Sequence, residues 1–493
     1  MDKYLLSIDN GLTSTKAVLL DLDGSEIASS LYKTNIENKN GYSEIDMELQ
    51  WENTARCIKD VIEKSGIDAK RIAAVGNSGH GAGLYLLDGE GIPIRKAITS
   101  MDMRASDIVK RWDSEGRSSY DKTFHPLWPG QAIPILNWLK NNEYDNYRQI
   151  GCVFAVKDWI KFKLTGEIAT EYTDATNSGL VNLKNKQYDS DIFNLFDIGE
   201  MYDALAPLRE STDIIGYVTE SAAAQTGLKA GTPVTGGLFD VVACALGSGV
   251  YDCDKYSVIS GTWNINSAIE KSLISAGKNT KCSLAADGMS YIYVESSATS
   301  AVNLEWFIDN MIKGFGSIGI PDRNLYKRIN EGVAGIKPEE SEIIYLPFLH
   351  STYLADGING GFLGVKAGHG VHHILRAVFE GVAFAHLMHL ENLQKSGIVR
   401  KSAVLSGGAS NSDVWCQIFS DVLNMEIIST KSTQAGALGV AASTALGTGI
   451  YKSFKEAVNN MVKVKKCYYP GDSNRIYKEK YEKFKEVIVK LSR

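Results

Sequence analysis

The 493-residue chain has few cysteines and no long hydrophobic run. Its seven cysteines are odd in number and scattered, and none forms a Cys-x-x-Cys pair, which argues against a disulfide framework and against a zinc site. An uncharged stretch, residues 435–450, is rich in glycine and alanine and shorter than the ~20 apolar residues that span a bilayer. It therefore predicts a buried helix, and the isolated thiols indicate a reducing, cytoplasmic location.

An excess of positive charge is also missing. The chain carries 52 Lys and Arg against 58 Asp and Glu, a net charge of −6, and its one basic run, residues 463–466, is more typical of a solvated face than of a nucleic-acid patch. Residues 1–4 lead directly into a strand pattern without an apolar stretch of signal type. We expect no nucleic-acid partner and no membrane partner.

The chain is organised around residues 4–21, where two apolar runs meet at Asp9-Asn10-Gly11, a pattern that predicts two strands joined by a tight turn. The turn offers backbone N–H groups near Gly11, hydroxyls and a lysine that suit a phosphate, and Asp9 is placed to hold a hydrated divalent ion. Asn-Gly also occurs in hairpins for backbone reasons alone. The turn is thus either a phosphate cradle or a plain hairpin.

A second stretch of the same kind, residues 256–266, favours the phosphate cradle. It again runs from an apolar strand through a Gly-Thr turn, Gly261-Thr262, into a strand, but Ser260 stands where the first copy has its carboxylate. At this length two domains are expected. The sequence therefore predicts a duplicated scaffold whose halves clamp a nucleoside triphosphate between two turns.

Two further segments of the first half are candidates for ligand contact. Residues 71–75 predict a buried strand that enters a glycine-rich loop with Gly79 and His80, at the carboxyl end of a strand, where open α/β sheets bind ligands. Asp102 and Arg104 follow another strand and suit hydroxyl and phosphate contacts. The alternatives are a glycine-rich connector with a core histidine, and a helix-capping Asp with a solvated Arg.

Asp240 is the candidate general base. It opens an apolar helix over residues 240–247 in which it is the only charged group, directly after a buried strand and Gly236-Gly237. A carboxylate held among apolar side chains suits proton abstraction, although an acid at this place can also be only a helix cap.

The second half offers fewer chemical groups. Residues 403–412 predict a strand, a diglycine turn and a helix start, whose glycines would let a flat base lie against the backbone. Residues from 459 onward predict a linker and an amphipathic terminal helix. The clustered histidines lack the spacing of a metal site; they are His369, His372, His373, His386 and His389.

Together these residues resemble the FGGY family of carbohydrate kinases. Its second signature is matched at every constrained position by Gly360-x-Phe362-x-Gly364-Val365, seven further residues and His373-Ile374-x-x-Ala377-Val378-Phe379-Glu380. The resemblance implies a duplicated RNase H-like, actin-like α/β fold around a central cleft, with an N-terminal domain over residues 1–248 and a C-terminal domain over residues 249–493.

The resemblance also implies site residues, with ATP and Mg²⁺ as cofactors. ATP would be bound by Asn10, Gly11, Thr13, Ser14, Thr15, Lys16, Gly261, Thr262, Gly407, Gly408, Ala409 and Ser412. The sugar would be bound by Gly79, His80, Asp102, Arg104, Phe239 and Asp240, with Asp240 as the catalytic base and Asp9 and Asp240 as metal ligands. Leu12 departs from the threonine usual in the family, which removes one phosphate contact.

Within the family, the segments around Asp102, Trp128, Asp240 and residues 303–307 are similar to the L-xylulose (3-keto-L-gulonate) kinase branch. This implies phosphorylation of a terminal hydroxyl of a small keto sugar. The alternatives are an erythritol- or glycerol-type polyol kinase, a D-xylulose or ribulose kinase, and, in a different class, an actin-like ATPase without a sugar substrate. The oligomeric state is open, a homodimer being one outcome.

Overall fold

A computed structural model describes residues 3–277, 279–313, 322–350, 352–355 and 357–492. Within these ranges no helix combines the length and the apolar character needed to cross a lipid bilayer.

The first half contains sixteen strands and ten α-helices in the described residues. The strands are β1 Tyr4–Asn10, β2 Ser14–Asp21, β3 Glu26–Lys33, β4 Ile36–Lys39, β5 Tyr42–Ile45, β6 Ile72–Gly79, β7 Tyr85–Leu87, β8 Ala97–Ile98, β9 Cys152–Phe154, β10 Thr170–Glu171, β11 Val181–Asn182, β12 Gln187–Tyr188, β13 Leu208–Arg209, β14 Ile214–Tyr217, β15 Pro233–Thr235 and β16 Leu238–Phe239. The helices are α1 Met47–Ser65, α2 Ser106–Ser114, α3 Tyr120–Thr123, α4 Ala132–Asn142, α5 Tyr144–Tyr147, α6 Val156–Thr165, α7 Tyr172–Asn177, α8 Ser190–Leu195, α9 Glu220–Thr226 and α10 Asp240–Gly247.

The second half contains nine strands and seven α-helices in the same described ranges. The strands are β17 Tyr256–Ser260, β18 Asn264–Glu270, β19 Lys281–Leu284, β20 Tyr291–Ser297, β21 Ile344–Leu346, β22 Gly361–Leu363, β23 Ser402–Ser406, β24 Glu426–Thr430 and β25 Val464–Tyr468. The helices are α11 Val302–Phe307, which continues as a π-helical segment over Ile308–Ile312, α12 Asp322–Ala334, α13 Val371–Lys395, α14 Asp413–Leu423, α15 Ala435–Gly447, α16 Phe454–Met461 and α17 Asn474–Leu491.

Each half is built on a mixed sheet with the same order. In the first, the antiparallel strands β3-β2-β1 continue through the parallel strands β6 and β15 to an antiparallel edge strand, β14. In the second, β20-β18-β17 continue in the same way through β23 and β24 to β25, with β19 added beyond β20. The predicted duplication and the actin-like fold class are confirmed.

Helices α10 and α15 lie between the two sheets and share one apolar core with both. Helix α15 belongs to the second half, yet it packs against β1 and β6 of the first, where the Ser7 hydroxyl donates a hydrogen bond to the Ala437 carbonyl over 2.7 Å. The predicted boundary at residue 248 directly follows α10 and stays a prediction.

Local sequence explains where the first helix starts and stops. Asp46 caps α1 by accepting a hydrogen bond from the Leu49 amide, and the helix ends at Gly66, whose φ of 64° is a left-handed conformation that glycine adopts freely. Between these ends, Trp51, Ala55 and Ile58 are buried, as the helical spacing of apolar residues predicts.

The region after residue 459 differs in part from the prediction of a linker. Strand β25 lies there and pairs with β24 at the sheet edge. Its first three residues are exposed and two of them are lysines, so the apolar alternation that marks a strand is missing, as is common on edge strands. The terminal helix α17 buries Tyr477, Tyr481, Phe484 and Ile488 on one face, as predicted.

Candidate active site

A cleft of about 530 Å³ opens between the two halves. Its lining from the first half comprises Gly11, Leu12, Thr13, Ile36, Asn38, Ser43, His80, Gly81, Ser100, Met101, Trp128, Asn177, Phe239, Asp240 and Val241. Its lining from the second half comprises Thr262, Trp263, Ile265, Lys281, Val294 and Ser296. The cleft therefore brings the two predicted phosphate turns and the predicted base together.

The turns of the two hairpins both line the cleft. The first spans Gly11 to Thr13 and the second holds Thr262, and both threonines are exposed and available for hydrogen bonds to a ligand. Gly407 lies directly behind the second turn with φ 84°, and a Cβ atom there would be 2.5 Å from the Ser260 carbonyl oxygen. Only glycine lets the diglycine loop approach the second turn this closely.

Asp240 is held at the first position of α10, immediately after β16, which pairs with β6. Burial raises the pKa of its carboxyl group well above the ordinary value, and the negative charges of Asp9 and Asp174 raise it further. A carboxylate with a raised pKa in a cleft is suited to accept a proton from a bound hydroxyl.

Asp9 stands at the end of β1, where its Oδ1 accepts a hydrogen bond from the Ser78 hydroxyl over 2.9 Å. Burial raises the pKa of Asp9, and the Ser78 hydrogen bond and the charge of Lys16 oppose that rise. Asp9 and Asp240 thus place two carboxylates in electrostatic contact, an arrangement that a bound cation would stabilise. Their oxygen ligands suit Mg²⁺, which is commonly held by one or two carboxylates together with water and phosphate oxygens.

His80, Asn177 and Trp128 also line the cleft. The His80 Nε2 atom lies 3.3 Å from the Tyr85 hydroxyl, which itself donates to Gln50, so Nε2 carries the proton and Nδ1 is an acceptor. Burial lowers the pKa of His80 to about 4, which keeps the ring neutral near pH 7. Nδ1 is buried and has no hydrogen-bond partner among the described residues.

A fully buried network of charged side chains adjoins this part of the site. The Lys157 ammonium lies 3.1 Å from Asp158 and 3.2 Å from Glu171, and the Lys161 ammonium lies 3.1 Å from Asp158. Glu171 accepts the hydroxyl hydrogen of Thr173, whose oxygen in turn accepts the Phe239 amide over 2.8 Å. The network therefore fixes the backbone immediately before Asp240.

Two family descriptions match the chain. The N-terminal domain of the FGGY family of carbohydrate kinases matches residues 4–247, and the C-terminal domain of the same family matches residues 256–447. This chain belongs to the FGGY family of carbohydrate kinases. It is therefore a sugar phosphotransferase of a family that uses ATP.

Named relatives of this FGGY kinase extend over the full chain. The Escherichia coli K12 protein named L-xylulose/3-keto-L-gulonate kinase is 34% identical over 497 residues, covering 100% of this chain and 98% of that protein. A Pasteurella multocida protein named probable L-xylulose kinase is 32% identical over 500 residues, covering 99% of each.

Solved structures share the fold. Gluconate kinase from Lactobacillus acidophilus superposes with a TM-score of 0.89 at 24% identity, covering 100% of this chain and 99% of that one. Plasmodium falciparum glycerol kinase with ADP superposes with a TM-score of 0.87 at 17% identity, covering 99% and 98%.

Several predicted ATP ligands of this kinase form hydrogen bonds with other residues of the chain through their side chains. The Asn10 amide donates to Thr15 and Thr54, which joins the hairpin to α1 in the core. The Lys16 ammonium donates to the Gln434 amide oxygen over 2.8 Å, across the two halves. Ser412 caps α14 by accepting the Trp415 amide. Their roles toward ATP stay predictions.

The remaining predicted ATP and sugar residues are divided between exposed and packed positions. Ser14 is partly exposed beside the first turn, Gly261 is partly exposed in the second, and Gly408 is exposed while Ala409 is buried. Gly79 ends β6 beside Phe239, where a Cβ atom would lie 2.4 Å from Val156 Cγ1, so it supports the site without lining the cleft.

Asp102 and Arg104 do not line the cleft. The Arg104 guanidinium donates to both carboxylate oxygens of Asp102, over 2.8 and 2.9 Å, and also to Glu44 over 2.6 Å. Asp102 Oδ2 additionally accepts the Ser43 amide. This buried ion pair supports the segment beneath Ser100 and Met101, and direct sugar contact by either residue stays a prediction.

The cleft residues that were not among the predicted ligands include Asn177, Trp263 and Lys281. Asn177 ends the short helix α7, Trp263 follows the second turn, and Lys281 begins β19, with no motif around it. Asn177 packs so close to the loop after β6 that a Cβ atom on Gly81 would lie 2.2 Å from its amide nitrogen. Only the pairing of β19 with β20 brings Lys281 to the cleft, and local sequence does not encode that pairing.

Proposed function

We propose that this chain transfers the γ-phosphoryl group of ATP to a terminal hydroxyl of a small keto sugar, with L-xylulose and 3-keto-L-gulonate as the leading substrates. The observation that carries the proposal is that one cleft brings Asp240 together with two phosphate-type turns and with His80, Asn177 and Trp128. The names of the full-length relatives support the choice of sugar.

In this mechanism, Asp240 accepts the proton of the terminal hydroxyl while the hydroxyl oxygen attacks the γ-phosphorus and ADP leaves. The turns at Gly11 to Thr13 and at Thr262 donate hydrogen bonds to the phosphate oxygens, where negative charge develops. The neutral His80 ring accepts a sugar hydroxyl through Nδ1 and so orients the substrate.

We propose Asp9 and Asp240 as the residues that hold Mg²⁺. Mg²⁺ held by these carboxylates would neutralise part of the charge of the phosphate groups. Asp9 lies on β1, two residues before the first phosphate turn, and its second carboxylate oxygen points toward Gly436 at the start of α15. Movement of the halves about residues 247–252 would exclude water from the cleft.

An ADP-release panel tests the proposal. The panel contains MgATP with L-xylulose, 3-keto-L-gulonate, D-xylulose, L- and D-ribulose, erythritol, glycerol or no sugar. We expect ADP release that depends on sugar and is fastest with L-xylulose or 3-keto-L-gulonate. Fastest release with erythritol or glycerol would make the protein a polyol kinase, and equal release without sugar would make it an actin-like ATPase.

We also propose that the protein works in the cytoplasm, because all seven cysteines are free. The homodimer stays a prediction, which the mass measured by light scattering would test.

A further inference from the structure

Two charged side chains line the cleft in the described part of the chain, and they have opposite signs. Asp240 contributes a carboxyl group, and Lys281 contributes an ammonium group. Every other lining residue is neutral or, like His80, held neutral by burial. A ligand that fills the cleft therefore meets a proton acceptor at one place and a cation at another.

The Lys281 ammonium forms no ion pair with the described residues. Its nearest acid, Glu295, is occupied by the hydroxyls of Thr280 and Tyr353 and by the His389 ring, and it contributes only a longer-range attraction to Lys281. The ammonium instead lies 4.5 Å from the centre of the Trp128 ring. A lysine held over an aromatic ring keeps its N–H groups free for an anion.

The strand register separates Lys281 from the second phosphate turn: Lys281 pairs with Val294, and Val294 pairs with Ser267, five residues beyond Thr262. Strand β19 comes from the second half but is fastened to the first: the Cys282 amide donates to the Phe124 carbonyl and the Leu284 amide donates to the Thr176 hydroxyl, both over 3.0 Å. Thr176 adjoins Asn177, which lines the cleft. These contacts hold Lys281 beside the residues that would bind the sugar.

We propose that Lys281 is a specificity-determining residue that binds the carboxylate of a sugar acid whose opposite end presents its hydroxyl to Asp240. This inference rests on the proposed function and narrows its substrate class to linear keto sugar acids, with neutral keto sugars as the less favoured group. A charge-assisted hydrogen bond to a carboxylate favours the acid by roughly ten- to hundredfold.

The test compares kcat/KM for 3-keto-L-gulonate and L-xylulose in the wild type, Lys281→Met and Lys281→Arg. Methionine keeps the contact with Trp128 and removes the charge, whereas arginine keeps the charge. Lys163→Met is the matched control, because Lys163 also lies over a tryptophan ring, 5.0 Å from the Trp159 centre, but outside the cleft.

We expect the ratio of kcat/KM for the acid to that for the neutral sugar to fall ten- to hundredfold in Lys281→Met and less in Lys281→Arg. Lys163→Met should keep the wild-type ratio. An unchanged ratio in Lys281→Met, an equal loss for both sugars or a wild type that rejects the acid would overturn the inference. If Lys281→Met fails to fold, Lys281→Gln provides the same comparison.

A result that contradicts the proposed function differs from one that contradicts only the role of Lys281. In the first case the wild type itself releases no ADP with either sugar, whatever residue stands at position 281.

Discussion

Gly439 on α15 faces Gly247 on α10 so closely that a Cβ atom on Gly439 would lie 2.9 Å from the Gly247 amide nitrogen and 1.9 Å from the Ala243 carbonyl oxygen. The two helices therefore touch through their backbones at this crossing. Because α10 begins with Asp240 and α15 packs on the first-half sheet beside Asp9, the crossing fixes the candidate catalytic carboxylates relative to each other.

Replacing Gly439 with alanine should destabilise the protein. The methyl group has no space beside a backbone carbonyl, so the helices must separate, at a cost of about 1–3 kcal/mol or more. Gly436→Ala, on the same helix, is the control, since its Cβ atom would meet its nearest neighbour, Cys244 Sγ, at an ordinary 3.5 Å. Urea unfolding of both variants measures the difference. Equal stability of Gly439→Ala and wild type would show that the crossing tolerates a side chain.

The fold was predictable because its signals are local and occur twice. The apolar runs around Asp9-Asn10-Gly11 and around Gly261-Thr262 each mark a hairpin, and both hairpins are present with the expected pairing. Strand β25 was not predictable, because its exposed lysines give no alternation and only pairing with β24 makes it a strand.

The candidate site was predictable where the local sequence itself marks a functional residue. Asp240, alone in an apolar helix, lines the cleft. Asp102 and Arg104 form an equally suggestive pattern, but three-dimensional packing joins them to Glu44 in a buried ion pair instead of the cleft lining. Lys281 reaches the cleft only through long-range strand pairing, so no local pattern marks it.

Asp9→Asn should weaken the binding of Mg²⁺. The amide keeps an oxygen for the Ser78 hydroxyl but removes the negative charge that attracts a divalent cation. We expect the Mg²⁺ concentration at half-maximal activity to rise about tenfold or more, with little change in KM for the sugar. Asp21→Asn, at the far end of the same hairpin, is the control, because Asp21 binds only the amides of its own turn. Identical Mg²⁺ titrations for Asp9→Asn and wild type would remove Asp9 from the metal site.

Selection of a sugar acid should weaken at alkaline pH. Burial lowers the pKa of Lys281 to about 8, against an attraction from Glu295, so the ammonium is largely present at pH 7 and is lost as the pH rises through 8. His125 also faces Lys281, and burial lowers the pKa of His125 to about 3, so its ring does not change charge near pH 8. Burial raises the pKa of Asp240 well above its ordinary value, but Asp240 serves both sugars, so its titration changes both rates together.

We therefore expect KM for 3-keto-L-gulonate to rise between pH 7 and pH 9 while KM for L-xylulose changes less. Initial rates at a series of pH values measure both constants. In Lys281→Arg, whose guanidinium stays charged, the rise should disappear. The same rise in Lys281→Arg would assign it to another group.

The most direct test of the proposed chemistry is sugar-dependent ADP release by Asp240→Asn. The substitution removes the proton acceptor and preserves size, so the melting temperature should stay close to that of the wild type while turnover falls by roughly 10²–10⁴. A folded Asp240→Asn protein that releases ADP with sugar at the wild-type rate would contradict the account.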